Sequence, residues 1–210
     1  MKLQEKIINV FGQIRVYSLI DLALFALAIG SKKFELLGII LLHIGFLFYL
    51  EHKHKHTYRV QIPSVIWVAF CVLGIIFYDK LSAIGFLLFG FLYAKKNSKN
   101  FSPLSSLFRG MQYYFLAAGI LGFLSPISFL AFGLLTIRSF AGDLRDVTKD
   151  RKEKMRTLPI VLGFKKDIKT LHIILLMLTS LIWLVLSGSS LLWLIPVYIL
   201  QIITYNITPR

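Results

Sequence analysis

Eight apolar stretches, separated by short polar segments, constrain the fold of this chain more than any other feature. Such a succession is typical of a polytopic membrane protein, although most stretches are nearer 15 residues than the ~20 that a straight helical span needs. Hydrocarbon offers an open backbone no hydrogen-bonding partner, so each stretch is expected to be a helix. The stretches are 16–30, 36–50, 62–78, 81–94, 107–124, 126–140, 168–187 and 190–204. We therefore predict an all-α, polytopic transmembrane bundle of about eight spans, with residues 1–210 forming a single domain.

The composition excludes the main alternatives to a membrane protein. Only 16% of the residues are charged, against about 25% in soluble domains, which leaves too few polar side chains to cover a solvated globule. With 18 Phe and one Cys, the chain matches neither a disordered protein nor a disulfide scaffold.

The basic residues are distributed unevenly between the two sides of the predicted membrane. With eight spans, one side receives both terminal segments and the loops 51–61, 95–109 and 138–169, and it carries all but three of the 24 Lys and Arg residues. Cytoplasmic loops are enriched in Lys and Arg, so we predict a multi-pass integral membrane protein with its termini and charged loops in the cytoplasm. The net charge of +14 then faces anionic lipid headgroups, and we expect no nucleic-acid partner.

The loop that follows the sixth stretch carries three aspartates in a regular pattern. Asp143, Asp146 and Asp150 stand at i, i+3 and i+7, which on a continuous helix places them within about 60° of one another. Like charges at this spacing destabilise a helix, and a divalent cation would remove the conflict. Mg²⁺ typically takes one or two carboxylates together with phosphate oxygens of a substrate. The pattern therefore predicts a magnesium site.

Basic residues are interleaved with these aspartates. Carboxylates for a metal beside cations for oxyanions are what a diphosphate site requires, because both stabilise a departing diphosphate. A solvated loop, in which Asp and Lys pair at i, i+4, stays open as the alternative. The residues predicted to contact the substrate diphosphate from this loop are Arg145, Lys149, Arg151 and Arg156.

The segment Asp143-x-x-Asp146-x-x-x-Asp150-Arg151, followed by Arg156-Thr157-Leu158-Pro159 and Gly163, resembles the second aspartate-rich motif of UbiA-type intramembrane prenyltransferases. Tyr93-Ala-Lys95-Lys96 after the fourth stretch is a weaker similarity. About 25 residues carry the match, and Lys154 departs from it, standing where the family often has Gly.

The resemblance implies a helical bundle, typically of nine spans, that transfers a prenyl chain from an isoprenyl diphosphate to an acceptor. The acceptor would be aromatic, a quinone precursor or a lipid soluble in the membrane, and Mg²⁺ would bridge carboxylates to the diphosphate. It also implies that Asp143, Asp146 and Asp150 are the catalytic metal ligands and that Arg151 and Arg156 contact the diphosphate.

The chain departs further from the family in the 51–64 segment, where the family has its first aspartate-rich motif. Here Glu51 is the one carboxylate in Glu51-His52-Lys53-His54-Lys55-His56, although Arg59 and Pro63-Ser64 match the end of that motif. Three interpretations stay open. The segment could be a basic cap on lipid headgroups; His52, Lys53 and Arg59 could bind the diphosphate directly; or His52 and His56, with Glu51, could bind zinc. Glu51 is also a candidate metal ligand.

Two polar residues inside predicted spans are further candidates, because Asp21 and His43 are costly in lipid and should face the bundle interior. Packing partners between helices are the alternative role for both. A CDP-alcohol phosphotransferase is a weaker interpretation, since its Asp-Gly and Ala-Arg pairs are missing, and a transporter would place ionisable groups at the bilayer midplane. We expect a prenyltransferase; the alternative is an impaired relative that binds a prenyl diphosphate or polyprenyl lipid without transferring it.

Overall fold

The computed structural model describes residues 14–54, 62–96 and 100–207, and within these ranges the chain is helical without a strand. The all-α prediction is thereby confirmed for the described residues. The α-helices are α1 (Val16–Ala28), α2 (Lys33–His54), α3 (Ser64–Phe77), α4 (Lys80–Ala94), α5 (Ser105–Leu121), α6 (Pro126–Arg145), α7 (Val147–Lys152), α8 (Leu158–Val161), α9 (Thr170–Leu186) and α10 (Leu194–Ile207). Short 3₁₀ turns at Ser102–Leu104 and Leu191–Trp193 precede α5 and α10.

Each of the eight predicted apolar stretches coincides with one of the longer helices. Two helical segments in the described part of the chain, Lys33–Lys53 and Pro126–Arg145, are long and apolar enough to cross a membrane. Their mean hydropathies are 1.8 and 1.4. The other apolar helices are shorter, so the count of eight spans stays a prediction.

The chain divides into two compact units. Unit 1 comprises Met1–Tyr78 together with Ser180–Arg210, and unit 2 comprises Asp79–Thr179. Helix α9 begins in unit 2 and ends in unit 1. The single domain over residues 1–210 stays a prediction.

Unit 1 packs through large apolar side chains and through close contacts at glycine. Phe25 and Trp183 are fully buried, and their rings meet edge to face with centroids 5.1 Å apart, a favoured aromatic geometry. A Cβ added at Gly74 of α3 would lie 2.6 Å from Cγ of Leu42 on α2. Glycine therefore allows α2 and α3 to approach more closely than any larger residue would.

Unit 2 brings α5 against α6 in the same way. A Cβ at Gly110 of α5 would lie 2.0 Å from Oγ1 of Thr136 and 2.6 Å from the carbonyl oxygen of Phe132, both on α6. The buried side chains of Tyr113 and Leu135 pack within this unit. The close approach fixes the start of α5 relative to the end of α6, where the predicted site residues lie.

Helix α6 begins where its sequence indicates and ends within the aspartate-rich segment. Pro126 occupies the first turn, where its missing N–H breaks no helical hydrogen bond. The helix ends at Arg145 because Asp146 has φ −107° and ψ 15°, outside the α region, and α7 then begins at Val147. The helical run is thus interrupted at Asp146, the middle aspartate of the segment.

Candidate functional site

The break at Asp146 corrects one part of the sequence prediction. Asp143 belongs to α6 and Asp150 to α7, so the three aspartates do not lie on one continuous helix. Asp143 and Asp150 are both buried, with 2% of each residue exposed, whereas the side chain of Asp146 is 27% exposed. The segment therefore contains a buried pair of carboxylates and a third that is more accessible.

Asp143 accepts hydrogen bonds from three side chains. Nζ of Lys96, which follows α4, donates to Oδ1 at 2.7 Å. The hydroxyls of Ser105 and Ser106, in the first turn of α5, donate to Oδ2 at 3.0 and 3.1 Å. Both carboxylate oxygens of Asp143 are therefore engaged by partners from two other helical regions of unit 2.

Lys96 also reaches the second buried carboxylate. Its Nζ lies 3.4 Å from Oδ2 of Asp150, and the lysine side chain is only 13% exposed. Burial by itself would lower the pKa of Lys96, but the charges of Asp143 and Asp150 outweigh burial and raise that pKa above its ordinary value. The ammonium group therefore stays charged between two carboxylates.

Asp146 and Asp150 respond to their surroundings in opposite ways. Burial opposes ionisation of Asp146, but Arg145, whose Nε and Nη2 donate to its oxygens at 2.9 and 2.6 Å, lowers the pKa of Asp146 overall. Burial, with the neighbouring charges of Asp143 and Asp146, raises the pKa of Asp150 despite Lys96. Oδ2 of Asp150 is buried, and its contact with Nζ of Lys96, at 3.4 Å, is longer than the 2.7 Å contact that Lys96 makes with Asp143.

These residues, as arranged, do not fit a divalent metal ion. Among the described residues there is no group of three or more His, Cys, Asp or Glu side chains that could hold one. An ion that bridged Oδ1 of Asp143 and Oδ2 of Asp150 would occupy the position that Nζ of Lys96 holds. The predicted ligation of Mg²⁺ by Asp143, Asp146 and Asp150 stays a prediction that this arrangement does not support.

The basic residues predicted to bind substrate have different surroundings. Arg145 is committed to Asp146, and Lys149 is half-buried. Arg151 and Arg156 are exposed; Nη2 of Arg151 donates to the carbonyl oxygen of Phe164 at 2.8 Å. The exposed cations near the end of α7 are Arg151, Lys152, Lys154 and Arg156. Unit 2 thus presents a cluster of positive charge to solvent close in sequence to the buried aspartates.

Lys154 lies two residues after the end of α7, in a backbone conformation that favours glycine. Its φ is 57°, in the left-handed region. The N–H groups of Met155 and Lys154 donate to the carbonyl oxygens of Asp150 and Arg151 at 2.9 and 3.1 Å. This is a Schellman motif, whose left-handed position usually holds Gly. The backbone geometry is thus one that Gly would adopt without strain.

The predicted residues of the His-rich segment belong to unit 1. Glu51 is buried, Lys53 is exposed, and Nδ1 of His52 lies 3.1 Å from the carbonyl oxygen of Ile62. This contact ties the end of α2 to Ile62, two residues before α3. Arg59 and His56 lie outside the described residues, so the three interpretations of this segment stay open.

The two polar candidates inside predicted spans, Asp21 and His43, are both fully buried in unit 1. Ser180 donates to Oδ1 of Asp21 at 3.2 Å, and Nε2 of Gln201 donates to Ser180 at 2.7 Å, so one hydrogen-bond chain joins α1, α9 and α10. Nε2 of His43 lies 3.5 Å from Oγ of Ser18. These contacts agree with the alternative in which both residues hold helices together.

Three residues of the site were missed by sequence reasoning. Lys96 was noted only as part of Tyr93-Ala-Lys95-Lys96, a weak similarity to the family, and no sequence motif included Ser105 or Ser106. They lie 47, 38 and 37 positions from Asp143. A pairing at such separations leaves no local pattern in a single sequence.

No protein-family profile, characterised protein or solved structure gives a significant match to this chain.

Proposed function

We propose that this chain is a multi-pass membrane protein of the UbiA prenyltransferase type, with about eight spans and with its termini and charged loops in the cytoplasm. The uneven distribution of Lys and Arg supports this orientation. A reporter fused after Arg210 should then be cytoplasmic, and one inserted at 187–190 should lie on the opposite side. Reporters on the same side would contradict the eight-span topology.

Its function would be to move an isoprenyl chain from an isoprenyl diphosphate to an aromatic, quinone-precursor or lipid acceptor. The observation that carries this proposal is the segment Asp143-x-x-Asp146-x-x-x-Asp150-Arg151 with Arg156 and Pro159 behind it. Exposed cations accompany the aspartates in the same unit. That combination suits a ligand with several oxyanions and a long apolar chain.

The chemistry would rest on the positive charges of the chain. As the allylic C–O bond breaks, the electron pair leaves with the diphosphate, and cations such as Arg151 and Arg156 stabilise the growing negative charge. The acceptor's nucleophilic atom then forms a bond to the allylic carbon and releases its proton to water. Apolar helices would shield the allylic cation from water until that bond forms.

A second candidate function is binding of a prenyl diphosphate or polyprenyl lipid without transfer. The contact of Lys96 with both Asp143 and Asp150 favours it, because a lysine there competes with the metal that transfer requires in the resembled family. The single carboxylate in the segment 51–56 favours it as well.

The decisive experiment measures isoprenyl-diphosphate consumption by purified protein in lipid nanodiscs with mixed acceptors, with mass spectrometry of the prenylated products. A transferase forms product, and replacing Arg151 and Arg156 together by Ala should reduce the rate at least about a hundredfold, equivalent to about 3 kcal/mol, because both cations are proposed to stabilise the departing diphosphate. The exposed Lys166 is the control, and Lys166→Ala should leave the rate unchanged. Binding without product would support the second candidate, and neither binding nor product would refute both.

A further inference from the structure

We propose that the ammonium group of Lys96 takes the place of a divalent cation between Asp143 and Asp150, so that this site is complete without a bound metal. The lysine nitrogen lies 2.7 Å from Oδ1 of Asp143 and 3.4 Å from Oδ2 of Asp150. It therefore occupies the bridging position that a metal would need between two carboxylates.

The other oxygen of Asp143 is also committed. Oδ2 accepts hydrogen bonds from the hydroxyls of Ser105 and Ser106. These two side chains are neutral donors to Asp143, so they add no anionic ligand for a metal ion. Mg²⁺ requires near-octahedral oxygen ligands at about 2.0–2.1 Å. Lys96 and an incoming metal ion therefore compete for the same carboxylate, and each can bind only when the other is absent.

The sequence of the segment 51–56 also supports a site without a bound metal. In the segment 51–56, where the resembled family has several aspartates, Glu51 is accompanied by basic or imidazole side chains. The chain thus has fewer carboxylate ligands for Mg²⁺ there and more basic side chains. If the proposed function is right, the diphosphate would be bound by cations of the protein itself, such as Arg151 and Arg156, instead of by a metal ion.

The test uses Mn²⁺ as the probe, followed by electron paramagnetic resonance, with purified full-length protein in nanodiscs. The wild type should show no stoichiometric site up to about 1 mM Mn²⁺, the weak end of protein sites for hard divalent ions. Lys96→Met removes the ammonium group while keeping much of the side-chain volume. It should create one Mn²⁺ site with a dissociation constant at least tenfold below the limit of about 1 mM expected for the wild type, that is, about 0.1 mM or lower. Adding Asp143→Asn to Lys96→Met should abolish the new site.

Lys95→Met is the matched control. Lys95 is exposed, and its Nζ lies 5.7 Å from the ring centroid of Phe101, so the substitution removes the same charge one residue away. It should not create a Mn²⁺ site. Stoichiometric Mn²⁺ binding by the wild type would overturn the proposal, and so would a folded Lys96→Met protein that binds no Mn²⁺.

A second measurement decides the question if Lys96→Met does not fold. Binding of geranyl diphosphate to the wild type should be the same within threefold in EDTA and in Mg²⁺. A loss of tenfold or more in EDTA would overturn the proposal. If no diphosphate binds under either condition, the proposed function fails, and the wild-type Mn²⁺ titration still tests the role of Lys96 separately.

Discussion

Replacing Asp143 should destabilise the protein far more than replacing Asp146, although both are aspartates of the same segment. Asp143→Asn preserves shape but leaves the ammonium group of Lys96, 13% exposed, without its closest counter-charge. Removing one partner of a buried ion pair costs about 3–5 kcal/mol. Because Oδ2 of Asp150 remains 3.4 Å from Lys96, we expect a loss of about 2–3 kcal/mol.

The ion pair of Asp146 is of a different kind. Its side chain is 27% exposed and its partner, the adjacent Arg145, is 14% exposed, so the pair is only partly buried and its loss should cost about 1 kcal/mol, the upper end for accessible pairs. The two Asp→Asn variants should therefore differ by about 1–2 kcal/mol in the free energy of unfolding, measured by denaturant titration in a single detergent.

A double-mutant cycle isolates the contact between Lys96 and Asp143. If Lys96→Met is made in the Asp143→Asn background, the double variant should be more stable than the sum of the single losses predicts, with a coupling of at least about 1 kcal/mol. Equal losses for the two Asp→Asn variants, or additivity within about 0.5 kcal/mol, would refute the buried pair.

Four other measurements test separate parts of the structure. Gly110→Ala should cost about 1–3 kcal/mol, because the added methyl overlaps α6, whereas Gly133→Ala, with nothing within 4 Å, should be neutral or stabilising; equal effects would contradict the packing. Lys154→Gly should stabilise the protein by about 1 kcal/mol by relieving a left-handed φ, seen as a higher melting temperature. Ser180→Ala should cost about 1–3 kcal/mol, because it interrupts the hydrogen-bond chain of unit 1; unchanged unfolding would contradict that chain. Because the pKa of Asp150 is raised in the folded state, the folded protein binds this proton more tightly than the unfolded chain does. The contribution of Asp150 to stability therefore falls as the pH rises from 3.8, the ordinary pKa of the group, through its raised pKa. Asp150→Asn should weaken that pH dependence and raise the melting temperature at neutral pH.

The helices could be predicted from the sequence because apolar stretches and the breaks between them are local signals. The division of 107–140 at Leu124-Ser125-Pro126 is an example, since α6 begins at Pro126. The break at Asp146 could not be predicted, because the i, i+3, i+7 spacing is equally compatible with a continuous helix. Where the three aspartates find their partners depends on tertiary packing, as the distant Lys96 illustrates.

The close contact of α5 with α6 has a consequence for how fast the site could change its state. Gly110 sits against the backbone of α6, so Asp143 and the two hydroxyls that bond to it are held by helices that cannot slide past one another without a steric clash. Lys96, by contrast, follows the end of α4 and reaches Asp143 through a long side chain. Movements of whole helices take microseconds to milliseconds, so any faster change in the site is limited to the Lys96 side chain and its contacts with the two carboxylates.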